Sequence, residues 1–296
     1  MMISINDISR FAVIGSGTMG ARIGLQAALS GFEVTLYDID SNAFKRAEKE
    51  YDRISTMLIK SGKYKRTDLE SARRQIHYTT LLPEACKGAD FISENVYEEI
   101  HLKKNVWNEI SSLIGQHTIL TTNTSYLLPS DFAMECGAPS RFCAFHFHDV
   151  FTARVVDIMP HPGTPASLID LLYAMGLKLN QIPVIIRKET HGYIFNKLFG
   201  GILLQSGIML TEGIASVEDI DRSWMGNFGM TIGPFGMMDE VGLDTLYKVL
   251  RMLQSPGSEK FIELVRQYNS EGRLGVKAGK GFYHYPNPSF KNKDFL

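Results

Sequence analysis

The run RFAVIGSGTMGARIGLQAALSGFEVTLYD, residues 10–38, decides how the chain is read. Residues 10–14 have strand character, GSGTMG follows from Gly15 to Gly20, an amphipathic helix reaches about Ser30, and a second strand over 32–37 ends at Asp38. A lone GxGxxG is a common glycine turn, but here a strand precedes it and a helix follows it. In that context Gly15 permits the tight turn, Gly17 lets backbone approach a pyrophosphate, and Gly20 lets helix pack on strand. Thr18 and Met19 open the helix, whose N-terminal N–H groups and positive dipole end suit an anion. Asp38 lies 18 residues beyond Gly20. A carboxylate there accepts from the ribose hydroxyls of NAD and repels the extra phosphate of NADP, so NAD is the expected cofactor.

Working outward, the 296 residues exceed an ordinary single domain and predict two. A hydrophobic fraction of 44%, a charged fraction of 21% and a net charge of −1 describe a globular protein with no bias towards nucleic acid or membrane. Cys86, Cys136 and Cys143 are odd in number and form no CxxC, which argues against a disulfide framework or zinc site and for a reducing cytoplasm. The first strand begins within about ten residues, so no export signal is expected. The longest apolar region, 194–215, carries Asn196, Lys197, Gln205 and Glu212 and reads as a core helix rather than a membrane span.

After Asp38 comes a charged helical stretch over 42–75, interrupted at KSGKYKR (Lys60 to Arg66), which predicts a protruding helix pair. Composition alone makes it a solvated face; the other reading is a cationic clamp, with Lys60 and Lys63, for a phosphorylated substrate tail. Alternation then resumes, with strands at 76–79, 89–94, 118–122, 141–145, 153–158 and 182–187 and helices at 81–85, 98–114, 128–135 and 166–175. This rhythm predicts a Rossmann-type, doubly wound, mostly parallel sheet over residues 1–188. Residues 189–296 show no further strand pattern and form a smaller, all-helical domain.

Polar residues gather where strands end, and open α/β sheets bind ligands in the crevice outside those ends. Asn123 and Ser125 follow one strand, and Glu98 follows another, with Lys103 about a helical turn later. His146 and His148 end the strand RFCAFHF, Asp157 lies on the next, and Asn196 begins the helical domain. Dehydrogenation of an alcohol needs a base near neutrality, which is histidine's range, and a carboxylate to orient it. Ser125 and Asn196 could donate to the developing alkoxide. On these grounds either histidine qualifies, and each element has a bland reading in turn formation, helix capping or core packing.

GSGTMG, Asp38, ENVYEEIHLKKNVW, NTS, FHF, GYIFNK, GPFGMMDEVGLD and LGVKAGKGFYHY occur in this order, and with them the chain resembles the L-3-hydroxyacyl-CoA dehydrogenase family, 3-hydroxybutyryl-CoA dehydrogenases included. The match spans nearly the whole chain. It implies NAD-dependent interconversion of an (S)-3-hydroxyacyl-CoA, short in chain, with its 3-ketoacyl-CoA, and a homodimer formed through the helical domain. It assigns the base to His146 rather than His148, its orienting carboxylate to Asp157, and substrate contacts to Ser125 and Asn196. It places Glu98 and Lys103 near the nicotinamide, the cofactor phosphate or the substrate. It also brings the nucleotide end of CoA to the helix pair.

Where the family reads HFFNP followed by a glutamate, this chain reads HFHDV, is one residue shorter and has Asp157, whose reach is about 1.5 Å less. That segment lines the expected acyl site. A small hydroxy acid without CoA, as in carnitine or gulonate dehydrogenases, is therefore an alternative substrate. A non-catalytic, crystallin-like NAD-binding protein is a further alternative.

Overall fold

A computed structural model describes residues 4–253 and 255–296. The chain divides into two compact units, Met1–Tyr193 and Ile194–Leu296. The break falls five residues beyond the boundary expected at 188, because the chain still returns to the sheet's end before entering the first helix of the second unit.

The first unit runs β1 (Arg10–Ile14), α1 (Thr18–Leu29), β2 (Glu33–Tyr37), α2 (Ser41–Lys60), α3 (Arg66–Arg73), β3 (Ile76–Thr79), α4 (Leu82–Cys86), β4 (Phe91–Glu94) and α5 (Ile100–Ser111). It continues with β5 (Ile119–Thr122), β6 (Phe142–Phe147), β7 (Val155–Met159), α6 (Ala166–Lys178) and β8 (Ile182–Ile185). The strands form one sheet in the order β3-β2-β1-β4-β5-β6-β7-β8. Chain order reverses between β1 and β4, and the ends of both strands open there. Central strands are buried on both faces, so Phe11, Val13, Phe91, Ile119 and Phe145 pack with α1 on one side, while Ala12, Ile14, Ile92, Leu120 and Phe142 pack with Trp107 of α5 on the other.

The sheet is mostly parallel, as expected, and two local expectations change. β7 is antiparallel to β6, whereas the other pairings are parallel. Residues 148–154 are too few for the crossover of a dozen or more that a parallel return needs. The helix expected over 128–135 is only a 3-10 turn, Pro129–Asp131. The α2–α3 pair does not stand clear of the sheet: Tyr51, Ile54, Leu58, Leu69 and Ala72 face inward and join the α1 core, leaving the charged face outside.

The second unit is helical, with α7 (Phe195–Thr211), α8 (Val217–Phe228), α9 (Pro234–Val241), α10 (Leu243–Leu253) and α11 (Glu259–Ser270) around Leu203, Phe235, Met238, Leu246 and Phe261. Two buried carboxylates fasten it. Asp221 accepts the N–H groups of Phe235 and Gly236 at the start of α9 and the Tyr283 hydroxyl; Asp239 accepts the N–H groups of Phe282 and Tyr283 and the Tyr285 hydroxyl. Among the described residues no helix is long and apolar enough to cross a membrane.

Candidate active site

The glycine loop is built by backbone contact. Gly15 has φ +100°, and a Cβ there would lie 2.7 Å from the Asn95 carbonyl oxygen. A Cβ on Gly20 would lie 1.9 Å from the carbonyl oxygen of Gly15, so only glycine lets α1 start this close to β1. Gly17 differs: a Cβ there would meet nothing within 4 Å. Gly17 is also the N-cap of α1 and offers no side-chain cap to the first N–H groups of the helix.

Asp38 closes the floor beside this loop. Its Oδ2 accepts the N–H and the hydroxyl of Ser16, both at 2.9 Å, and its Oδ1 accepts the N–H of Asp40 at 3.1 Å. A carboxylate has about four acceptor sites, so these three bonds orient it and leave room for a ribose hydroxyl. The open cradle at Gly17, the uncapped helix start and this oriented carboxylate together fit a dinucleotide.

At the end of β5 the chain is held by Glu98. Its Oε1 accepts the Thr124 hydroxyl at 2.5 Å and the N–H groups of Ser125, Tyr126 and Leu127 at 2.9, 2.7 and 3.2 Å. Burial pushes the Glu98 carboxyl up, but nearby Lys103 and these donors outweigh it and hold it below the usual range. Lys103 is 1% exposed; its ammonium lies 2.8 Å from Glu94 Oε1, 3.3 Å from the Val96 carbonyl and 3.5 Å from Glu98 Oε2. Enclosed in this way, Lys103 is a buried counter-ion held between two carboxylates. Asn123 likewise turns inward, its Oδ1 accepting the Phe147 N–H at 2.8 Å and tying the β5 loop to β6.

β6 and β7 supply the titratable centre. Residues i and i+2 of a strand share a face, so His146 and His148 project together, and antiparallel pairing sets Asp157 directly opposite His146. Asp157 is 2% exposed and His146 5%. His146 Nδ1 is 3.4 Å from Asp157 Oδ2, whereas His148 Nε2 is 2.8 Å from the same oxygen. The expected one-to-one pairing of His146 with Asp157 is thus a shared arrangement in which the second histidine makes the shorter bond. The shorter aspartate still reaches because the two residues are in register.

Burial lowers the basicity of His146, reinforced by the charge of His148 and opposed by Asp157. Burial pushes Asp157 up, yet hydrogen bonds from both rings hold it below the usual carboxylate range. Tyr193 packs its ring 4.6 Å from His146, is buried with φ +55°, and its hydroxyl has no hydrogen-bond partner among the described residues. Sequence reasoning passed over Tyr193; the alternation in FHFH did mark His148.

The three donors of His146, His148 and Asp157 lie within 4.8 Å of one another. Two ligands at zinc distances in tetrahedral geometry lie about 3.4 Å apart, so the 2.8 Å contact is hydrogen-bond spacing rather than a preformed metal site. Ser125 is half-buried on the Glu98-held loop, and Lys60 and Lys63 are exposed at the α2–α3 turn. Asn196 is the second residue of α7, in the other unit.

Residues 10–190 match the family model described as 3-hydroxyacyl-CoA dehydrogenase, NAD binding domain, and residues 192–285 match its C-terminal domain. A curated relative from Caenorhabditis elegans, named a probable 3-hydroxyacyl-CoA dehydrogenase, is 32% identical over 293 residues, covering 95% of this chain and 97% of the relative. Among solved structures, a diketoreductase described as acting on dicarbonyl compounds is 31% identical with a TM-score of 0.87, covering 96% of this chain and 100% of that one. The (S)-3-hydroxybutyryl-CoA dehydrogenase of Ralstonia eutropha is 27% identical with a TM-score of 0.87, covering 95% and 100%.

Proposed function

The chain belongs to the 3-hydroxyacyl-CoA dehydrogenase family, and from that premise we propose that it interconverts a short-chain (S)-3-hydroxyacyl-CoA with the 3-ketoacyl-CoA, using His146 as the base. The observation that carries this reading is a buried imidazole set by strand register against a buried carboxylate at the end of β6. The protein is an oxidoreductase of CH–OH groups with NAD as its cofactor. When bound, NAD supplies the hydride acceptor.

Everything else falls to the chain's own side chains. Asp157 lies on the Nδ1 side of His146, which leaves Nε2 to take the proton of the substrate hydroxyl. The lowered basicity of His146 keeps the ring in the neutral form that can accept it. Once protonated, the ring is stabilised by Asp157, following triad logic. Ser125 is assigned a donor role towards the reacting oxygen, and the role expected of Asn196 belongs to the same proposal. Asp38, Gly15, Gly17 and Gly20 hold the dinucleotide through the cradle described above. The helical unit is assigned to substrate closure and dimer formation, which sedimentation at varied concentration checks.

CoA recognition is assigned to Lys60, Lys63 and neighbouring Lys65, which are exposed and can meet phosphates. The expected outcome is NADH-linked turnover of acetoacetyl-CoA and CoA affinity that falls at least tenfold when the three lysines become glutamine. The likeness to a diketoreductase and the HFHDV segment favour one rival, a dicarbonyl or hydroxy-acid substrate without CoA. Turnover of free diketo acids with no detectable CoA binding would establish it. Silence towards both substrate classes would leave an NAD-binding protein without catalysis.

A further inference from the structure

We infer that His148 is a positioning residue for the reacting imidazole: by holding the Asp157 carboxylate, it sets how tightly His146 retains a proton. The inference rests on the reading of His146 as the base. His148 is attached to β7 twice, because its N–H donates to the Val155 carbonyl at 3.2 Å and its ring lies 2.8 Å from Asp157 Oδ2. The backbone bond fixes where the His148 Cα sits beside β7, and the ring contact then brings its imidazole onto the carboxylate. Its centroid is 4.7 Å from that of His146 at an interplanar angle of 64°, edge against face.

The shared oxygen carries the consequence. A bond at 2.8 Å occupies a lone pair of Oδ2 fully, whereas the 3.4 Å approach of His146 is at the outer limit of a hydrogen bond. Asp157 then has less charge to offer the imidazolium, so His146 gives up its proton more readily than a dyad partner would. Among the described residues, the other titratable groups facing His146 are Glu98 ahead of α5 and Tyr193 at the end of the unit. Neither contacts Asp157 through a hydrogen bond among the described residues. His148 is thus the side chain placed to tune the pair.

The test is a 15N NMR titration of the His146 ring nitrogens in the full chain, alongside the pH profile of kcat/KM. In His148→Phe, the titration of His146 and the acid limb of kcat/KM should both move to higher pH, and kcat/KM near neutrality should fall roughly tenfold. His148→Gln should restore both, because its amide nitrogen can sit where Nε2 sits. If the phenylalanine variant does not fold, His148→Asn, whose amide reaches only the Nδ1 position, takes its place against His148→Gln. An unmoved His146 titration, or a glutamine variant that behaves like the non-donor, overturns the inference. Failure of the dehydrogenase reading would show separately, as absent turnover in the unmodified protein, and the NMR titration would still decide the role of His148.

Discussion

His146 and Lys103 show how polar partners distinguish two buried residues. Both are ionisable, but Lys103, on α5, is closed in by Glu94, Glu98 and a carbonyl. His146 has one nitrogen towards Asp157 and a second that the carboxylate does not occupy. Substituting His146→Gln keeps the volume and removes the base. Steady-state kinetics should show a loss of kcat of at least a hundredfold with NAD affinity within a fewfold of the original. Near-normal turnover would move the base to another residue. Tyr193 escaped sequence reasoning for a physical reason: neither its left-handed backbone nor its contact with His146 leaves a trace in a run that otherwise reads as helix.

At the scale of elements, the strand–turn–helix of β1 and α1 contains two glycines with opposite demands. Gly20 meets backbone, and Gly17 meets only open space. Gly17→Ala should therefore leave the melting temperature nearly unchanged while raising the KM for NAD at least tenfold, because the new methyl group occupies the cradle. Gly20→Ala should lower the melting temperature as well, since helix and strand must separate. Calorimetry beside NAD titration distinguishes the two, and equal destabilisation by both would contradict the assignment of the cradle. These elements were legible because their interactions close within about 30 residues. The antiparallel turn of β7 was not read from strand character, which carries no direction; the seven residues 148–154 were the available signal.

Across the whole molecule, the two units carry carboxylates shifted in opposite directions. Hydrogen bonding to Arg53 and Arg22 holds Glu50 in the first unit at about 2, against an ordinary 4.5, despite partial burial. A depressed carboxylate contributes stability that is present above its unfolded value and is lost as pH falls towards its folded value. Solvent screening at this partly exposed pair holds the contribution to about 1 kcal/mol. In the second unit, burial raises Asp221 from 3.8 to about 6 in spite of its three hydrogen bonds. Between those values the folded form binds more protons than the unfolded chain, so stability falls as pH rises, here by about 3 kcal/mol. Asp239 is shifted the same way by burial. Hydrogen exchange, corrected for its intrinsic pH dependence, should show α9 and α11 amides losing protection as pH rises from 3.8 to about 6, while α1 and α2 amides hold or gain. Parallel trends in both units would contradict this.

The amino-acid sequence by itself determined the order of strands and helices, the glycine loop, Asp38 and the division into a sheet and a helical unit. Each of these follows from local periodicity or from the steric demand of a single residue. It also brought His146, His148 and Asp157 forward as candidates. Only the tertiary structure decided that both imidazoles meet the same carboxylate oxygen, that Glu98 gathers the loop after β5, and that Lys103 is sealed beneath them. Those outcomes depend on register between strands remote in sequence and on which polar groups the closed core leaves without water, and no local pattern encodes either.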